Sequence, residues 1–80
     1  MKLFHIQNVD KLFEIIDSCT DKVELVSLDG DRINLKSKLA QYVALAKIFS
    51  NEEIVKELEL IAYNQNDVMM LMNFMRDGNQ

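Results

Sequence analysis

VELVSLDGDRINLKSKL, residues Val23 to Leu39, is the stretch that decides the fold of this chain. β-Branched and aliphatic residues lie on both sides of Asp29-Gly30, a pattern typical of two antiparallel strands joined by a hairpin. Glycine at position 30 supplies a positive φ without steric cost. Ser37 then precedes an apolar helical pattern, where its hydroxyl can accept a hydrogen bond from a backbone N–H of the first turn. The stretch therefore predicts strand, turn, strand and helix in succession.

Apolar residues before this unit predict one more strand and one more helix. Leu3, Phe4 and Ile6 indicate a short first strand. Asn8 is placed to cap a helix that ends near Cys19. The apolar residues of this helix recur at three- and four-residue spacing and predict one buried face: Val9, Leu12, Phe13, Ile16 and Cys19.

The second half of the chain also predicts helices and a strand. For the helix after Ser37, helical spacing predicts a buried stripe of Leu39, Tyr42, Val43, Ala46 and Phe49. Residues 50–55 predict a break and a short extra turn, and residues 58–62 alternate as a fourth strand. A last helix is expected to start at Asn66 and to end at Gly78. Its predicted apolar side consists of Val68, Leu71, Met72 and Met75.

Composition bounds the size and class of the molecule. Eighty residues with 49% hydrophobic content predict a single domain over 1–80. The one cysteine, Cys19, cannot form an internal disulfide, which predicts a small buried residue and a reducing cytoplasm. No apolar run reaches membrane-spanning length, and a net charge of −4 argues against a nucleic-acid-binding protein. No metal-ligand pattern or cofactor motif occurs, so we expect neither a metal nor a cofactor, and no enzyme.

The predicted order of elements is βαββαβα. Helices on one face of an antiparallel sheet would bury their apolar stripes together, which is the α+β two-layer architecture. Periodicity alone does not determine the order of the strands. A ferredoxin-like split βαβ arrangement would also accept the first six elements.

Two segments resemble HPr, the histidine-containing phosphocarrier family of the bacterial sugar phosphotransferase system. Ile33-Asn34-Leu35-Lys36-Ser37 is similar to the family's V-N-L-K-S, which follows a hairpin with a central glycine. Residues 57–62, ELELIA, resemble the family's fourth strand. The resemblance implies an open-faced β-sandwich, with a four-stranded antiparallel sheet of order 1-4-2-3 and three helices on one face.

The phosphorylated loop of HPr has no counterpart here. In the family, a histidine in a G-I-H-A-R-P-A loop carries the phosphoryl group between the first strand and the first helix. That chemistry needs an exposed imidazole and donors for the transferred oxygens. Residues 6–9, IQNV, hold that junction without glycine, arginine or proline, and the single histidine, His5, lies in the predicted first strand. A divergent phosphocarrier that uses His5 is therefore an alternative, and we expect no catalytic residue otherwise.

Ser37 matches the serine that HPr kinase phosphorylates in many Gram-positive HPr proteins. A phosphate at this position would be stabilised by the helix N-terminus. A serine that serves simply as an N-cap explains the same residue. The resemblance further implies a partner-binding surface at the start of the second helix, made of Lys38, Leu39, Gln41 and Tyr42.

The resulting prediction is a non-catalytic HPr-like docking or regulatory protein of a bacterial cytoplasm. Its partners would be proteins of the phosphoenolpyruvate-dependent sugar phosphotransferase system or regulatory proteins. Another alternative is a structural module that forms a homodimer through its last helix. Flexible thioethers suit adaptable binding surfaces, and this helix contains Met69, Met70, Met72 and Met75. Phe74 adds a predicted exposed apolar spot.

Overall fold

A computed structural model describes residues 1–3 and 6–78 of the chain. Within them the protein is α+β, with helices packed on an antiparallel sheet. The elements are α1 (Val9–Ser18), β1 (Val23–Val26), β2 (Arg32–Asn34), α2 (Lys38–Lys47), α3 (Glu52–Val55), β3 (Glu59–Ala62) and α4 (Gln65–Asn73), which a π-helical turn, Phe74–Gly78, continues. Phe4 and His5 lie outside the described residues.

The predicted hairpin is confirmed. β1 and β2 pair antiparallel, with Glu24 opposite Asn34. Gly30 has a φ of 89°, a conformation that residues with a Cβ rarely adopt. The turn is closed by the Ser27 amide, which donates to the Asp31 carbonyl at 2.9 Å. A shift in the pairing of β1 with β2 would move Gly30 out of the turn. The hairpin therefore also sets the register of β1 and β2.

Three strands form the sheet of the described residues, in the order β2-β1-β3 with both pairs antiparallel. The predicted four-stranded sheet is not confirmed. Lys2 makes a single antiparallel bridge to Glu59, and Met1 exchanges hydrogen bonds with the Leu60 backbone at 2.7 and 2.8 Å. Residues 1–3 therefore lie beside β3, where the described residues make this one bridge.

One hydrophobic core lies between the sheet and the helices. Val23, Leu25 and Leu60 point from the strands toward the helices and are at most 1% exposed. The prediction for α1 is largely confirmed, since four of its five apolar residues are buried: Leu12, Phe13, Ile16 and the C-terminal Cys19. Asn8 caps this helix by accepting from the Lys11 amide at 3.1 Å, as predicted.

The predicted buried stripe of α2 is wrong. The residues of α2 that are buried are Gln41 and Ala44. Leu39 is 74% exposed, Tyr42 65% and Val43 43%. Periodicity located an apolar side correctly but assigned it to the core, whereas the helix turns a glutamine inward. Phe49, just beyond α2, is half-buried and packs edge-on against Phe13, with ring centroids 5.7 Å apart.

The last helix differs from its prediction in both its start and its inward side. α4 begins at Gln65 because Asn64, two residues before the predicted start, caps it by accepting from the Asn66 and Asp67 amides. Met72 was expected to be buried but is 54% exposed. Phe74, which was expected at the surface, is 3% exposed and belongs to the core.

Asp67 occupies an inward position of α4 that an apolar residue would ordinarily fill. Its carboxylate is buried and accepts from the Thr20 amide at 2.9 and 3.0 Å and from the Asp21 amide at 3.0 Å. These backbone hydrogen bonds lower the pKa of Asp67, the contact with Asp21 first. The carboxylate thereby joins the start of α4 to the loop that follows α1.

We expect Asp67→Asn to destabilise the protein at neutral pH, because an amide offers one oxygen acceptor and brings an N–H donor toward the two backbone donors. Since the pKa of Asp67 is lower in the folded protein, its stabilisation is present above the unfolded value of about 4 and is lost as pH falls below it. Urea unfolding at several pH values should show the difference between wild type and variant narrowing below about pH 4.

The matched control for this experiment is Glu57→Gln, which removes a carboxylate from an exposed position. Its unfolding free energy should follow that of the wild type at every pH. An Asp67→Asn protein as stable as the wild type at neutral pH would contradict the structural role of this carboxylate.

Candidate functional site

The N-terminus of α2 presents an exposed serine. Ser37 is the N-cap residue, with extended backbone, and its Oγ accepts from the Ala40 amide at 3.3 Å. Its side chain is at the surface. Lys36 and Lys38 flank it in the chain. A phosphate on this hydroxyl would meet backbone N–H groups of the first turn and nearby cations, which both stabilise an anion.

One turn further on, α2 presents an exposed apolar surface. Four residues at positions i, i+3, i+4 and i+7 share this side of the helix, and we call them the α2 patch: Leu39, Tyr42, Val43 and Ala46. All four are exposed. Ser37 lies at the N-terminal end of the same helix. A modification at Ser37 would therefore lie beside the patch.

The charges of α2 are of one sign. Lys38 is at its first position and Lys47 at its last, and the ten residues between and including them contain no acid. The chain as a whole has a net charge of −4. The α2 patch is therefore an apolar surface with cations at both ends in an otherwise acidic protein. Such a surface complements an apolar surface with acidic neighbours.

Gln41, one of the predicted partner-binding residues, is not at this surface. It is 6% exposed, and its Nε2 donates to Asp17 Oδ1 at 2.7 Å and to the Leu35 carbonyl at 2.8 Å. Lys38 also binds Asp17, through the other carboxylate oxygen. We call Asp17, Lys38, Gln41 and the Leu35 carbonyl the Asp17 cluster. The hydrogen bonds from Lys38 and Gln41 lower the pKa of Asp17.

The Asp17 cluster determines how α2 is rotated. Because the Gln41 amide binds α1 and the end of β2, this side of the helix must face the protein. Residues on the other side of the helix are then exposed. Sequence analysis missed this because a glutamine between apolar residues has no local signal that it will be buried. Of the four predicted partner-binding residues, Leu39 and Tyr42 lie in the α2 patch, and Lys38 lies at its edge.

Cys19 has no features of a reactive thiol. It is 4% exposed, and burial raises the pKa of its thiol. Lys36 donates to the Cys19 carbonyl at the C-terminal end of α1, where a cation is favourable. The prediction that Cys19 is a small core residue is therefore confirmed.

A second polar cluster lies on the open face of the sheet. The Glu24 carboxylate accepts from the Tyr63 hydroxyl, and Arg32 donates to Glu24 at 3.2 Å and to the Tyr63 oxygen at 3.2 Å. Lys22 lies 5.0 Å from the centroid of the Tyr63 ring. The Tyr63 hydrogen bond lowers the pKa of Glu24 and raises that of Tyr63. Because every group has a partner within the cluster, we interpret it as a structural link between β1, β2 and the end of β3.

A crevice, possible metal-ligand groups and His5 are the other candidate sites, and they offer little support for a binding or catalytic function. A crevice of about 360 Å³ is lined by Leu3, Ile6, Phe49 and Val55, with Glu52, Glu53 and Lys56 also on its wall. Residues 1–3 and 6–78 contain no group of three or more His, Cys, Asp or Glu side chains that could hold a metal ion. His5, the residue of the phosphocarrier alternative, lies outside the described residues.

No family model, curated protein or solved structure matches this chain. In the described part of the chain, no helix has the length and apolarity needed to cross a membrane. The function is therefore argued from the α2 patch and its surroundings.

Gln41→Ala should lower the free energy of unfolding by about 1–3 kcal/mol, because it leaves the buried Leu35 carbonyl without its donor. Tyr42→Ala, at the neighbouring exposed position, should change it by no more than about 0.5 kcal/mol. Urea unfolding of both variants measures the difference. Equal losses for the two variants would contradict this division of α2 into an inward polar side and an exposed apolar side.

Proposed function

We propose that this protein is a non-catalytic docking or regulatory module of the HPr type, in which the α2 patch binds a partner protein and phosphorylation of Ser37 regulates that binding. The observation that carries the proposal is the position of an exposed N-cap serine at the start of a helix whose exposed side is apolar. Exposed apolar clusters with a polar surround mark protein-binding surfaces in many soluble proteins.

Ser37 suits regulation because a phosphate there changes the charge of the docking helix. It would add about two negative charges beside a patch that has Lys38 and Lys47 at its ends. An acidic partner surface would then be repelled, whereas a partner with arginines at the corresponding position would gain hydrogen bonds. The same helix could thus exchange partners on phosphorylation.

The patch favours a different protein over a second copy of this chain. In an antiparallel pair of α2 helices, Lys38 of each copy would lie near Lys47 of the other, and the like charges would repel. A partner with an apolar surface flanked by Asp or Glu would instead attract Lys47, and Lys38 more weakly because Lys38 is paired with Asp17. We therefore assign the patch to an acidic, apolar surface of a partner, such as a protein of the sugar phosphotransferase system or a regulatory protein of the bacterial cytoplasm.

The fold proposed with this function is an HPr-like open-faced sandwich. The N-terminal segment lies beside β3 through the Lys2–Glu59 bridge, so the spatial order is N-terminal segment, β3, β1, β2. If the N-terminal segment corresponds to the first strand of the family, this arrangement is consistent with the order 1-4-2-3. Support for the proposal thus comes from topology and from the similarity of residues 33–37.

Incubation with HPr kinase and ATP should add one phosphate to the protein, which intact mass spectrometry would detect. We expect it to be acid-stable and absent from Ser37→Ala, whereas Ser50→Ala, which alters another exposed serine at a helix end, should still be phosphorylated. A bacterial HPr serves as the positive control. No phosphate in the wild type under conditions that modify HPr would contradict regulation at Ser37 by this kinase.

A parallel incubation with enzyme I and phosphoenolpyruvate tests the phosphocarrier alternative. We expect no phosphate, because the chain has no counterpart of the G-I-H-A-R-P-A loop. An acid-labile phosphate that is lost in His5→Ala would replace the non-catalytic proposal with a phosphocarrier.

The role of the patch in docking can be measured with the same kinase. Leu39→Glu and Tyr42→Glu should each lower kcat/KM for Ser37 phosphorylation by about tenfold or more, since a buried apolar contact is replaced by a desolvated charge. Leu28→Glu, at a similarly exposed apolar residue of the hairpin turn, is the matched control and should leave the rate unchanged. Equal effects of all three substitutions would show that the patch is not the docking surface.

A further inference from the structure

The outer side of α4 is an exposed surface without charge. Its exposed residues are Gln65, Asn66, Met69, Met70, Met72 and Asn73. The one charged residue of α4, Asp67, is buried and bound to backbone amides. Charged residues make up 28% of the whole chain, so a nine-residue helix with no exposed charge stands apart from the rest of the surface.

Helical geometry places most of these residues on one stripe. Positions 65, 66, 69, 72 and 73 fall within about 120° of one another around the helix axis, opposite the inward residues Asp67 and Leu71. Met69 lies at the centre of this stripe and Met72 at its edge, and their side chains are 56% and 54% exposed. Amide side chains surround them. We call Gln65, Asn66, Met69, Met72 and Asn73 the α4 face.

We infer that the α4 face forms a homodimer interface in which the α4 helices of two copies pack against each other. A two-fold interface brings a surface against itself, so it must be self-complementary. Each Gln or Asn amide has both donors and an acceptor and can pair with an identical group. Methionine side chains are flexible enough to fill the irregular space between two identical helices.

Charge distinguishes a second copy from other occupants of the α4 face. Two copies of a protein with a net charge of −4 repel each other, and the repulsion is least where the contacting surfaces are neutral. Beyond α4, Arg76 and Asp77 form an ion pair at 3.1 Å, so the next turn is also neutral overall. A nucleic acid or a strongly charged protein would find no opposite charge here. The α2 patch, with its lysines, remains available to another partner.

The interface is small, which sets the expected affinity. A pair of nine-residue helices buries less than the ~800 Å² per partner of a standard interface, so we expect a weak dimer. Sedimentation equilibrium from about 10 μM to about 1 mM covers weak association and should show a monomer that becomes a dimer. A constant monomer mass over the whole range would overturn the inference.

Charge substitution tests where the dimer forms. Met69→Lys and Met69→Glu should each remain monomeric, because Met69 lies at the centre of the α4 face and like charges there would face each other across the two-fold axis. An equimolar mixture of the two variants should associate again, since opposite charges then meet. Leu28→Lys and Leu28→Glu, at a 76% exposed apolar residue of the hairpin turn, are the matched controls and should dimerise like the wild type.

A different pattern of monomers and dimers among the variants would locate the interface elsewhere. Dimerisation that survives both Met69 substitutions but is lost in Tyr42→Glu would place the interface on α2 and overturn the inference. Thermal unfolding followed by circular dichroism checks that the Met69 variants are folded, which the exposure of Met69 leads us to expect. The result is independent of the proposed regulation, because none of these variants alters Ser37.

Discussion

The arrangement of α2 and α4 depends on hydrogen bonds made at the C-terminal end of α1. The Asp67 carboxylate binds the two backbone amides that follow α1 and so positions α4. Asp17, in the last turn of α1, binds Gln41 and positions α2. Lys36 donates to the Cys19 carbonyl and joins the end of β2 to the same place. Because buried polar groups are costly without partners, these contacts leave few alternative arrangements.

These contacts also determine which surfaces remain for function. With Gln41 turned inward, Leu39 and Tyr42 are exposed beside Ser37, and α2 gains an exposed apolar surface at the cost of apolar core contacts. With Asp67 turned inward, α4 has no exposed charge and presents Met69 and Met72 to solvent. In each helix, a polar residue occupies an inward position and apolar residues lie outside. The proposed binding surfaces are thus consequences of the way the helices are attached.

Sequence reasoning succeeded where the determining interaction is local. The Asp29-Gly30 turn needs a positive φ that glycine supplies, and Ser37 caps a helix through an amide three residues away. It failed for the inward sides of α2 and α4, because the partners of Gln41 and Asp67 are 24 and 46 to 47 residues away in the chain. Periodicity identifies an apolar side of a helix but assumes that this side is buried.

The sequence by itself determined the α+β class, the hairpin, α1 with its buried face, and the exposed serine cap, since short-range sterics, capping and a strong apolar period specify them. Tertiary structure alone decided the rotation of α2 and α4 and the pairing of residues 1–3, which contact β3 through the Lys2–Glu59 bridge. The physical reason is that a carboxylate or amide can be buried only where hydrogen-bond partners satisfy it, and the partners Asp17, Thr20 and Asp21 are brought to these helices by the tertiary fold.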